Sequence, residues 1–367
     1  LWRDLVEHKM YITGGCCALH RGFSFRQNGN VWSADDVHEA AGPAYDLPNS
    51  TAYNETCAQV GNFMWNWRML AITGEARFAD VMEREMYNGF LSGISLDGRA
   101  FFYSNPLRWY GEDHVLSSND SQGRHQIGAA KRICCPTNVL RTLAEMRAYF
   151  YSTDSKGLWV HHYGGSVFDD GRFKVVQETN YPWSGKVRIT VGKAPAGVAV
   201  NLRIPQWAAG AKVAINGKPH QGSIGAGSYV RLMHDWSGND EITIDLPMDV
   251  RLMTAHPKVE AARNQVAVMR GPIVYCLESV DLPDGVSLAG VVLPRDSQFK
   301  PRFDEGLLGG VTVLEGRAEV YRSGDWSGRL YKALDQSRPE VMKVRLIPYY
   351  AWANRGVSEM TVWLPVR

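Results

Sequence analysis

In the first part of the chain, apolar residues recur at the helical period. Val60, Phe63, Met64, Trp67, Leu70 and Ala71 follow the i, i+3, i+4, i+7 spacing that turns one helix face into a core, and Gly74 stands where such a helix stops. A second helix follows at once, with Phe78, Val81, Met82, Met86 and Phe90 on one face. A third is predicted over Asn138 to Tyr151, with Val139, Leu143, Met146 and Phe150 inward, and Leu1 to Met10 reads as the inside of a further helix. Two stretches, Gly14 to Thr51 and Asn105 to Pro136, show neither period and are expected to be irregular. From Leu158 onward the period changes to two. Val187, Ile189 and Val191 alternate with polar residues, as do Val198, Val200, Leu202 and Ile204, and later Ile242, Ile244 and Leu246. Val213 to Ile215 runs into Asn216-Gly217, a pair that accepts positive φ and favours a tight hairpin. Further strands are expected at Gln265 to Tyr275, Val341 to Ile347 and Met360 to Leu364. The pattern predicts an α+β multidomain chain: helices first, then antiparallel β-sandwiches.

Composition narrows the function classes. With 367 residues, 45% hydrophobic and 21% charged, the chain can bury two or three cores. Its 40 basic and 38 acidic side chains leave a formal charge of only +2, with no basic block to neutralise a run of phosphates or grip a membrane surface. Nucleic acid is therefore not the expected partner. No apolar run reaches the roughly 20 residues needed to span a bilayer. The first residue is Leu1, inside a helical pattern, so the chain is expected to begin partway through a longer protein. Compartment stays open between bacterial cytoplasm and periplasm, and the pattern leaves oligomeric state undetermined. Aromatic residues, at 11%, suit sugar stacking, although each alone is better explained by a sandwich core.

The six cysteines change the picture more. Cys16-Cys17 and Cys134-Cys135 are vicinal pairs and Cys57 and Cys276 stand alone, which is not the spacing of a disulfide framework. Glu55-Thr56-Cys57 and Ile133-Cys134-Cys135-Pro136 together offer one carboxylate and three thiols, a four-donor set suited to zinc. Small buried thiols filling helix ends would explain the same residues. Glu39, sixteen residues before Glu55, could serve as a general acid or stand simply solvated.

Several runs carry a resemblance. Tyr45-Asp46-Leu47-Pro48-Asn49, Ala52-Tyr53-Asn54-Glu55-Thr56-Cys57-Ala58, Tyr87-Asn88-Gly89, Leu91 to Gly98, Phe101 to Leu107, and Cys134-Cys135-Pro136-Thr137-Asn138 resemble, in order and spacing, the β-L-arabinofuranosidase families 127 and 146 of glycoside hydrolases. The resemblance covers essentially the whole chain. It implies the later helices of an (α/α)6 barrel over residues 1–152, a first β-sandwich over 153–257 completed by a last strand in 356–367, and a second over 258–355. It implies Zn2+ on Glu55, Cys57, Cys134 and Cys135, with Cys134 the nucleophile, Glu39 the acid/base and Tyr103 against the sugar. The implied activity is retaining hydrolysis of a β-L-arabinofuranosyl bond in plant glycans, with Glu39 in a partly desolvated cleft facing Cys134. Cys16 and Cys17 are read as outside the ligand set.

Two other readings remain at this stage. The same mechanism could act on an acidic branched furanose of complex pectin, aceric acid, with Lys131, Arg132, Arg108 or Arg124 facing its carboxylate. Alternatively, the chain could be a non-catalytic carbohydrate-binding protein with a structural zinc. A water-activating zinc hydrolase is weaker, because no His-rich ligand set is present.

Overall fold

The computed structural model describes residues 1–28, 31–111, 124–130, 133–322, 324, 326–334 and 337–367, and within 21–38 only the backbone. Among the described residues of the first 150, five α-helices form: α1 (Trp2–His8), α2 (Thr56–Thr73), α3 (Ala76–Arg84), α4 (Cys134–Glu145) and α5 (Arg147–Phe150). α2 ends as its sequence predicts. Gly74 adopts φ 69°, and its N–H caps the helix on the Leu70 carbonyl. α3 runs on into a π-helical turn, Glu85–Phe90. Val60, Phe63, Leu70, Phe78, Met82, Phe90, Val139 and Tyr149 close one core between these helices.

Two expectations need correction here. α4 begins at Cys134 rather than Asn138, because Pro136 sits in its first turn, where a missing N–H leaves no intrahelical acceptor unserved. The stretch from Gly14 to Thr51 is not irregular throughout. β1 (Leu19–Asn28) pairs antiparallel with β2 (Val31–Ala40), from Leu19 opposite Ala40 to Asn28 opposite Val31.

The remainder is sheet. A six-stranded and a four-stranded sheet bury Leu158, Val160, Val175, Ile189, Leu202, Val230 and Ile244 in one shared core, and Asn216 (φ 49°) and Gly217 (φ 75°) make the expected hairpin turn. One pair in this sandwich is parallel: Ala199–Ile204 lies beside Gly157–Val160. A Cβ on Gly157 would stand 2.0 Å from the Ala199 carbonyl oxygen, a backbone atom that cannot step aside. Gly157→Ala is therefore expected to cost about 1–3 kcal/mol, read as a lower urea midpoint with unchanged slope.

A ten-stranded sheet system follows, with Val250–Met253, Gln265–Arg270, Ile273–Glu278, Glu340–Pro348 and Val311–Val320 side by side. The closing strands belong here, contrary to expectation. Met360–Thr361 pairs with Ile273–Glu278, and Trp363–Pro365 pairs with Gln265–Arg270, so 356–367 does not complete the first sandwich. Burial explains the choice: Met360, Val362 and Trp363 enter one core of this system and Leu364 enters the core on its other face. Met360–Thr361 also pairs with Arg108–Trp109, which ties the helical part to this sheet. Among the described residues, no helix is long and apolar enough to cross a membrane.

Helices and first sandwich are joined by a buried charge cluster. Arg203, fully buried, reaches Asp80 Oδ1 at 2.6 Å and Glu83 Oε1 at 2.5 Å, and Tyr181 and Trp207 also donate to Glu83.

Candidate active site

The segment just before α2 is clamped on both sides. Tyr53 and Asn54 donate their backbone N–H groups to the carbonyls of Ala18 and Cys17, while Thr56 donates its own to Tyr103. Asn54 takes φ 44°, and its side chain and that of Asn105 donate to each other's backbone carbonyls at 3.0 and 2.9 Å. Gly15 makes room for this exchange, since a Cβ there would fall 1.9 Å from Asn54 Oδ1. The clamp presents Glu55 at the N-cap of α2 without a capping bond, so its carboxylate is free to turn toward α4. Cys57 occupies the first turn of α2, and Cys134 and Cys135 the first turn of α4. Two helix N-termini thus converge with their partial positive charge on one spot, an arrangement that favours thiolates and carboxylates there.

At that spot, one ligand atom from each of Glu55, Cys57, Cys134 and Cys135 lies within 4.8 Å of every other. Cys57 Sγ is 3.4 Å from Cys135 Sγ, Cys134 Sγ is 3.9 Å from Cys135 Sγ, and Glu55 Oε1 is 3.9 and 3.8 Å from the two vicinal sulfurs. Donors at the corners of a tetrahedron around an ion bound to sulfur near 2.3 Å stand about 3.8 Å apart. The cluster therefore already has the dimensions of a four-coordinate site, and its soft, sulfur-rich donors suit a thiophilic ion. Its members differ in exposure. Cys135 and Glu55 are buried, Cys57 is half-buried, and Cys134 is exposed, with its sulfur 3.7 Å from the Tyr103 hydroxyl.

Electrostatics agree with this geometry. Burial and the neighbouring Cys57 push the Glu55 carboxyl up to about 8. Cys57 is lowered to about 6, first by its contact with Cys135 and then by Asn138, whose Nδ2 donates to the Cys57 sulfur at 3.2 Å. Within the Cys57–Cys135 pair the negative charge belongs on Cys57, because only that sulfur receives the amide. Cys135 is raised by the same contact and by burial, and Cys134 by burial against an opposing effect of Tyr103.

Glu39, near the end of β2, has φ 55° and an exposed side chain. Among the described residues the partly desolvated cleft expected around it is not formed: its side chain is exposed and is hydrogen-bonded to Tyr53. That hydrogen bond joins it to the cluster: the buried Tyr53 hydroxyl is 3.0 Å from Glu39 Oε1 and 3.3 Å from Glu55 Oε2. Tyr53 and Asn138 were not singled out from sequence. Both had a signal, since Tyr53 lies two residues before Glu55 in an extended segment and Asn138 four after Cys134 on one helix face.

Cys16 and Cys17 lie outside the convergent group, with their sulfurs 3.9 Å apart and Cys16 against the Ala58 carbonyl. The cations considered for an acidic sugar are otherwise engaged or undescribed. Arg108 pairs with Glu359 at 2.5 Å, Arg124 stacks on Phe102 and donates to the Trp352 carbonyl, and Lys131 and Arg132 lie outside the described residues.

Comparison with known proteins accounts for nearly the whole length. Residues 1–148 match the family model of the β-L-arabinofuranosidase GH127 catalytic domain, 157–248 that of its middle domain, and 250–365 the glycoside hydrolase family 127 C-terminal domain. The chain belongs to glycoside hydrolase family 127. A non-reducing end β-L-arabinofuranosidase from Bifidobacterium longum subsp. longum is 35% identical over 382 residues, covering 99% of this chain and 54% of that protein. Among solved structures, one described as a glycoside hydrolase superposes with a TM-score of 0.92 at 40% identity, over all of this chain and 61% of its own. A GH127 β-L-arabinofuranosidase from Geobacillus stearothermophilus T6 superposes with a TM-score of 0.85 at 40% identity, over all of this family 127 chain and 56% of its own. The chain thus spans little more than half the length of these relatives.

Proposed function

We propose that the protein carrying this family 127 chain is a retaining glycosidase that releases a β-L-arabinofuranosyl sugar from plant glycans. Residues 1–152 are read as the later helices of an (α/α)6 barrel; the first sandwich then ends before Val250, not at 257, because Val250–Met253 pairs with Gln265–Arg270, and the second sheet system runs from Val250 to Pro365. The observation that carries the proposal is the convergence of three thiols and one carboxylate, with a single sulfur, that of Cys134, left exposed. Glu55, Cys57, Cys134 and Cys135 would hold zinc. Bound there, zinc would keep the cysteine sulfurs deprotonated at neutral pH. Cys134 attacks the anomeric carbon, and Glu39 gives a proton to the departing glycosidic oxygen. Glu39 then takes a proton from the water that cleaves the sugar from Cys134. Tyr103, beside the Cys134 sulfur, contacts the sugar.

The test is intact-mass and peptide mass spectrometry of the enzyme trapped during turnover of a β-L-arabinofuranoside. A pentosyl adduct on the Cys134 peptide is expected; turnover with an adduct on a carboxylate, or with inverted product, would refute the assignment. A second expectation concerns the metal. Near neutral pH the metal-free cluster carries its charge on Cys57, with Glu55, Cys134 and Cys135 protonated. Loading zinc into the chelator-treated protein should therefore release about three protons, counted by calorimetry in buffers of different ionisation enthalpy. Affinity should weaken as pH falls. A release near zero would mean that the cluster does not take up the ion.

A further inference from the structure

Tyr53 bridges the two carboxylates of the site. Its ring is buried, held between His20 at 4.8 Å and Tyr103 at 6.2 Å between ring centroids, and its backbone N–H is bonded to the Ala18 carbonyl. Its hydroxyl reaches Glu39 Oε1 at 3.0 Å and Glu55 Oε2 at 3.3 Å. A tyrosine hydroxyl keeps its proton at neutral pH and can donate it to a carboxylate. One O–H carries one proton, and the shorter contact marks Glu39 as its principal acceptor.

Glu39 needs such a partner. It is exposed, on a residue with positive φ, and a glutamate side chain in water samples many rotamers. Tyr53 is its one hydrogen-bond partner among the described residues, which leaves Oε2 unpaired. We propose that Tyr53 is a positioning residue for the acid/base: it holds Oε1 of Glu39 and thereby dedicates Oε2 to proton exchange with the glycosidic oxygen. The inference rests on the reading of Glu39 as the acid/base.

Leaving-group chemistry separates this role from a structural one. A nitrophenolate departs without protonation, whereas an alkoxide does not, so a defect confined to acid catalysis appears with alkyl β-L-arabinofuranosides and vanishes with nitrophenyl ones. Removal of a positioned general acid lowers rates by roughly 10²–10⁴-fold. Glu39→Gln should therefore lose about 10³-fold in kcat/KM on the alkyl substrate and little on the nitrophenyl one. Tyr53→Phe, which keeps the ring and removes only the hydroxyl, should lose roughly 10–100-fold on the alkyl substrate and under about 3-fold on the nitrophenyl one, with metal content and melting temperature unchanged. Equal loss on both substrates, loss of metal, or no loss on either would overturn the role given to Tyr53 while leaving Glu39 in place. If Glu39→Gln itself shows no dependence on the leaving group, the acid/base assignment falls and the role of Tyr53 falls with it.

Discussion

Cys134→Ser should abolish turnover, by about 10⁴-fold or more in kcat, with little change in the urea midpoint of the chelator-treated protein. Position and chemistry give the two halves of this expectation. The side chain is exposed at the start of α4 and packs into no core, so one atom exchanged there removes almost no buried contact. A serine hydroxyl, unlike a thiol, is not ionised near neutral pH even in a favourable field, so the proposed nucleophile is lost. Cys135→Ser gives the useful contrast. That sulfur is buried and lies 3.4 Å from Cys57, so its replacement should lower both metal content and melting temperature. Near-native turnover by the Cys134 variant, measured on a β-L-arabinofuranoside and confirmed by mass, would remove Cys134 from the chemistry.

The largest stability effect is expected far from the thiols. Arg203→Met removes the cation from a fully buried group that faces Asp80 and Glu83, and breaking a buried pair from one side costs about 3–5 kcal/mol. Tyr181 and Trp207 would still donate to Glu83, but neither supplies charge. The deficit should depend on pH. Burial already raises the Asp80 carboxyl despite Arg203, and without the arginine it should titrate further above its unfolded value. A carboxyl raised in the folded state contributes stability that is present below its unfolded pKa and lost as pH rises through the folded one. The variant should therefore recover part of its deficit in mild acid, as measured by urea denaturation at a series of pH values. A deficit that is flat with pH would mean that the Asp80 carboxyl stays compensated by other groups.

Much of this arrangement is legible in the sequence where a feature depends on neighbours a few residues away. The i, i+4 apolar spacing in α2, its stop at Gly74 and the Asn216-Gly217 turn are local, and each forms where it is read. The donor set could be read because carboxylate and thiol chemistry is specific to residue type, although 78 residues separate Cys57 from Cys135. Long-range choices were less visible. Trp363–Pro365 alternates equally well for either sandwich, and only the cores it would fill decide between them. The β1–β2 arm leaves no period-two signal, because its strands mix charged and apolar residues without strict alternation. The role of Tyr53 depends on a carboxylate brought in by that arm, so nothing in its own heptapeptide points to Glu39.

The pairing of Met360–Thr361 with Arg108–Trp109 reaches further than sheet architecture. Val362 donates to the Leu107 carbonyl, and a few residues upstream Ser104 bridges to Glu55 while Tyr103 faces Cys134. One short ribbon thus runs from the closing strands to the exposed sulfur of Cys134. Trimming those strands would slacken that ribbon at its far end, and the loss would be felt at the thiols although no residue near them had been touched.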